Sequence, residues 1–116
     1  MVIKRRDVVN VIFGSNTREN HLAIVLSPEE VNSEEEQFLG IMITDSKFFD
    51  PNNDCSFPIT DEMFINPLKE KSSRVRLFLL NFLPNQCIVG NARVNEMRIE
   101  PFKAMIKELN TKIFGV

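Results

Sequence analysis

Val8-Val9-Asn10-Val11-Ile12-Phe13, Leu22-Ala23-Ile24-Val25-Leu26 and Leu39-Gly40-Ile41-Met42-Ile43 decide the reading of this chain. Each run is too short to be a spanning helix and is rich in β-branched residues, the mark of a buried strand. Gly14-Ser15-Asn16-Thr17-Arg18-Glu19-Asn20 separates the first two, and the one histidine, His21, closes that loop. Thr44, Asp45, Ser46 and Lys47 follow the third run. Strands paired as sequence neighbours would bring both polar segments to one end of a sheet.

Outward from these runs the strand pattern continues. Ser56-Phe57-Pro58-Ile59-Thr60 reads as an edge strand, because Pro58 has no N–H to give to a ladder. Arg74 to Phe82 begins with alternating charged and apolar residues and becomes apolar on both faces. Pro84-Asn85 turns the chain, and Cys87 to Val94 reads as a further strand with Gly90 at a bulge. The last segment is different. Phe102, Met105, Ile106, Leu109 and Ile113 form one apolar stripe of an amphipathic helix. Pro101 suits its first position, Lys107 and Lys112 its C-terminal half, and Gly115 its cap. The expectation is a mainly β protein: about six strands in a strongly bent sheet or barrel, with a C-terminal helix packed on it.

Two longer loops remain. In the stretch from Ser27 to Gln37, Ser27 is placed to cap a single helical turn begun by Pro28-Glu29-Glu30. Glu29, Glu30, Glu34, Glu35 and Glu36 read as a solvated face. The Asp45 to Cys55 loop carries Phe48 and Phe49, as anchors on the core or as a contact for a partner.

The 116 residues fit one domain, residues 1–116, and suffice for a core without disulfides or metals. A net charge of −2 means that any nucleic-acid binding must come from a local basic surface. Lys4-Arg5-Arg6 is followed at once by Asp7, so it does not read as a secretory leader, and no segment is long enough to cross a bilayer. Cys55 and Cys87 allow a disulfide, but free thiols in a reducing cytoplasm are the simpler reading. With one histidine and two cysteines, no zinc-ligand spacing is present. Phosphate-cradling glycine motifs and serine-nucleophile motifs are absent as well.

The ordered set of segments resembles the PemK/MazF family of toxin endoribonucleases. Lys4-Arg5-Arg6-Asp7-Val8-Val9 is similar to the family's opening strand, which reads basic, Gly, Asp, apolar. His21-Leu22-Ala23-Ile24-Val25-Leu26-Ser27 resembles its Arg-Pro-led strand, and Gly40-Ile41-Met42-Ile43-Thr44 its third strand, which ends in Ile-Thr. Ser56-Phe57-Pro58-Ile59 resembles the next, and Ile88-Val89-Gly90-Asn91-Ala92 lies where the family has an apolar strand ending in an Asp/Glu-Gln pair. The resemblance covers nearly the whole chain. It implies an SH3-like barrel, usually a homodimer, that cleaves single-stranded RNA without a metal or other cofactor. It also implies a small antitoxin that covers the RNA groove. The departures are His21 for Arg, Leu22 for Pro, Arg6 for Gly, and Asn91-Ala92 for the acid–Gln pair.

Metal-free RNA cleavage uses the 2′-OH as nucleophile. It needs an acid or base, a hydrogen-bond donor on the phosphate and cations for the developing charge. His21 and Thr44 are the catalytic candidates, as acid–base and phosphate clamp. Arg18, Lys47 and Arg93 are the RNA-binding cations, although Arg93 could instead pair with Asp61, Glu62 or Glu96. The acidic loop should face away from such a site, since it would repel phosphate. Two other readings stand beside this one. One is a catalytically inactive binding protein on the same scaffold, or its variant, a CcdB-type gyrase poison, whose aromatic-Gly-aliphatic tail Phe114-Gly115-Val116 resembles. The other is an SH3-like interaction module.

Overall fold

A computed structural model describes residues 2–12, 21–45, 55–68 and 73–116. The strands are β1 (Asp7–Val11), β2 (His21–Val25), β3 (Gln37–Asp45), β4 (Ser56–Ile59), β5 (Ser73–Pro84) and β6 (Ile88–Glu96). Helix α1 (Glu29–Glu35) joins β2 to β3, and α2 (Ile99–Leu109) follows β6. All strand pairs are antiparallel, in the order β4-β5-β3-β2-β1-β6. The three quoted runs are thus the centre of the sheet. The Pro58 strand is an edge, where a missing N–H does least harm.

Both faces of the sheet are apolar, because alternation sends successive side chains to opposite sides. Val8, Ile24, Ile41, Val75 and Leu77 pack under Phe102, Met105 and Leu109 of α2. Val9, Val11, Ala23, Val25, Phe38, Met42, Leu83 and Ile88 form a second core on the other face. β5 serves both because it is irregular. Ile41 pairs with Leu80 but Ile43 with Val75, so the strand gains extra residues, bends, and changes which side chains face which core. The sheet edges are drawn together past β4, where Phe64 bridges to Met97. Ile65 N–H donates to the Glu96 carbonyl, and Arg98 N–H to that of Met63. This near-closure gives the bent sheet its barrel form.

Several local expectations change. Ser27 does not cap α1. Its hydroxyl donates to Asn32 Oδ1 and accepts from Leu39 N–H, tying α1 to β3. The helix has seven residues rather than a single turn. Pro101 is the third residue of α2, not the first, since the helix starts at Ile99. The whole first turn lacks intrahelical acceptors, so a proline is tolerated there too. Beyond α2 a wide turn over Asn110–Phe114 ends at Gly115, whose φ of 74° makes it the expected left-handed cap. β6 does bulge at Gly90 and Asn91, with φ of 73° and 51°. Val11 pairs with Ile88 and Val9 with Arg93, so the intervening residues swing outward. Asparagine is among the few residues that adopt this conformation readily. Cys87 lies in the turn before β6, and both cysteines are half-buried and not joined in a disulfide.

Candidate functional site

β2 begins at His21, and β3 runs antiparallel beside it. Leu22 pairs with Ile43, so one residue further along, His21 and Thr44 stand opposite each other. On its other side His21 pairs with Val11. Thr44 pairs with Arg74, which in turn pairs with Pro58. One row therefore crosses the sheet: Val11, His21, Thr44, Arg74, Pro58. Facing residues in such a ladder have Cβ atoms about 5 Å apart and share a face. The row shares its face with Ala23 and Met42, which are buried. His21, Thr44 and Arg74 thus occupy successive places in one row, each half-buried, at the rim of an apolar core. Such a rim holds water back from one side of the groups and strengthens their electrostatics.

Arg74 is held in place. Its Nε–H donates to Oγ of the buried Ser56 on β4 at 2.8 Å. Arg76, two residues on, pairs with Ser56 across the ladder and extends the same face. Neither arginine is singled out by sequence reasoning. The alternation Arg74-Val75-Arg76 marks a strand with one charged face, but only the β3–β5 register sets that face beside Thr44.

Arg93 is not brought to this row. It pairs with Val9, on the far side of β1 from β2. Its guanidinium binds Glu96 Oε1 at 2.6 Å and Oδ1 of the buried Asp7 at 3.2 Å. These bonds, to Glu96 and then to Asp7, raise its pKa above the ordinary arginine value. Asp7 also accepts from Lys4 N–H at 2.9 Å. Of the partners foreseen for Arg93, Glu96 is present, while Asp7 takes the place of Asp61 or Glu62. Arg18 and Lys47 lie outside the described residues, as do Phe48 and Phe49. Among the described residues no group of three or more His, Cys, Asp or Glu could hold a metal ion.

The acidic helix is remote from the row. α1 leads into β3 at Gln37, and Thr44 lies seven residues on, about 23 Å at 3.3 Å per residue. Glu35 and Glu36 line a hollow there with Gln37, Pro84, Asn85 and Gln86. No described helix is long and apolar enough to cross a membrane.

No family model matches the sequence, and no curated protein matches it. Solved structures do match. A chain of a MazE–MazF structure from Deinococcus radiodurans (Form-III) superposes with a TM-score of 0.75 at 13% identity, covering 100% of this chain and 99% of that one. Its Form-II counterpart gives 0.70 at 13% identity, over 96% and 94%. MazF alone from the same organism gives 0.65 at 14% identity, over 100% and 99%. A likeness that spans the whole length at such low identity is one of backbone: this chain has the MazF fold, an antiparallel barrel-like sheet with a C-terminal helix.

Proposed function

We propose that this protein is the toxin of a toxin–antitoxin pair and a metal-independent endoribonuclease of the cytoplasm, acting on single-stranded RNA as a homodimer. The observation that carries the reading is the His21–Thr44 pair on neighbouring strands, on one face and in one row. The fold it shares with chains of MazE–MazF structures supports an antitoxin partner.

The chemistry follows from the groups. The 2′-oxygen of the RNA attacks phosphorus, and the bond to the 5′-oxygen breaks. The products are a cyclic phosphate on one fragment and a 5′-hydroxyl on the other. His21 takes the proton from the 2′-OH or gives one to the departing oxygen, a task worth about 10²–10⁴-fold. Thr44 donates its hydroxyl hydrogen to a phosphate oxygen, where charge grows as the fifth bond forms. Arg18 and Lys47, on the segments that flank β2 and β3, are the proposed further cations. Arg93 is bound by two carboxylates, and its proposed role narrows to the edge of an RNA path.

Purified protein incubated with single-stranded RNA should cut it equally well with and without EDTA. His21→Ala and Thr44→Ala should each cost about a hundredfold or more while the circular dichroism spectrum is kept. Wild-type activity in both variants would overturn this assignment. A second reading, a gyrase poison of the CcdB type, is favoured by the exposure of Phe114 and Val116 at the tail. Deleting residues 114–116 should then abolish toxicity, whereas an RNA cutter should keep its cleavage.

A further inference from the structure

β5 enters the row at Arg74 and continues through Val75, Arg76, Leu77 and Phe78. Val75 and Leu77 are fully buried, so the residues between them face the other way. Arg74 is set beside Thr44 by the β3–β5 register, and Ser56 fixes its Nε at 2.8 Å. The Arg76 guanidinium carbon lies 5.0 Å from the centroid of the Phe78 ring, within cation–π range. Phe78 itself is 46% exposed, although phenylalanine is among the residues most often buried. The order of groups leading away from the His21–Thr44 pair is cation, cation, exposed ring.

We infer that Arg74, Arg76 and Phe78 form a binding subsite for a nucleotide flanking the point of cleavage, an inference that rests on the RNA-cleaving reading above. Proteins that hold single strands combine cations along the phosphate backbone with aromatic rings on which bases stack. Here the two guanidinium groups hold the flanking phosphate, and the Phe78 ring takes the base. The chain has a net charge of −2, so it needs such a local basic surface to attract RNA at all. The acidic helix lies at the other end of β3, where it does not oppose this one. The subsite also gives the RNA a direction: across the strands from β2 towards β5, then along β5 to its bend.

The test is binding of an RNA that wild-type protein cleaves, made resistant by a 2′-deoxy sugar at the cleavage point. Fluorescence anisotropy is read over a series of salt concentrations. Arg74→Gln and Arg76→Gln should each weaken binding and reduce the slope of log affinity against log salt by about 0.7, the value for one phosphate contact on a single strand. Arg74→Lys should keep the slope. Phe78→Ala should weaken binding about fivefold or more and leave the slope unchanged. If wild type cleaves RNA but Arg76→Gln and Phe78→Ala, both folded by thermal melting, bind with its affinity and slope, the subsite is refuted and the cleavage reading survives. If wild type neither cleaves nor binds RNA, both fall.

Discussion

At the scale of the residue, Arg6 shows how a side chain can hold an unfavourable backbone. It stands where the resembling family has glycine, and its φ is 77°. The left-handed region costs a residue with a Cβ about 1–2 kcal/mol. In return, Arg6 Nη1 donates to the Met97 carbonyl at 3.0 Å and lies 3.8 Å from Glu96. Arg6→Ala keeps the strain and loses the bond, so it should destabilise by about 1 kcal/mol. Arg6→Gly should be the more stable of the two variants by about 1 kcal/mol. Urea unfolding of the three proteins decides it, and a glycine variant no better than alanine would show that φ is not the cost. Residue identity also set the limit of what could be read from the chain. His21 and Thr44 are legible because each ends an apolar run at a polar loop. Arg74 is not, because its place beside Thr44 is a matter of register between residues 30 positions apart. Arg93 looked available in sequence because Asp7, its buried partner, lies 86 residues away.

At the scale of the element, β3 depends on Gly40. A Cβ there would lie 3.0 Å from Cε2 of Phe38 and 3.5 Å from the Ala23 Cβ. The Phe38 ring thus folds over its own strand and fills the second core from a position two residues away. Gly40→Val should force that ring aside and destabilise by about 1–3 kcal/mol. Thermal melting measures this, and a melting temperature equal to wild type would mean that the ring moves at no cost. The central strands and the stripe of α2 are legible because apolar periodicity reports burial directly. The α1 region is less so. Ser27 has the sequence of a cap, but a buried hydroxyl goes to whichever partners are nearest in three dimensions. Here these are Asn32 and Leu39. The length of β5 is hidden for a similar reason: its bend lets both halves pair with β3, which no period of two announces.

At the scale of the whole molecule, large exposed rings bear on the proposed homodimer. Phe82 on β5 is 63% exposed and Phe114 is 59% exposed, and the turn over Asn110–Phe114 packs against β5. Large exposed apolar rings favour an interface. If the proposed dimer uses this ring, Phe82→Glu should give a monomer in light scattering where wild type gives a dimer, while an unchanged dimer mass would place the interface elsewhere. The barrel form itself was legible in the number and spacing of strands. Its near-closure through Phe64 and Met97 was not, since one isolated bridge leaves no trace in composition. The ordering of pairing partners along the chain has a consequence for assembly. The imidazole and the hydroxyl belong to consecutive strands, joined by α1 alone, and come together in a short-range event. The guanidinium groups arrive only when the distant β5 zips onto β3, a slower step because a longer loop must close. A nascent or partly melted sheet therefore sets His21 opposite Thr44 before Arg74 and Arg76 arrive beside them.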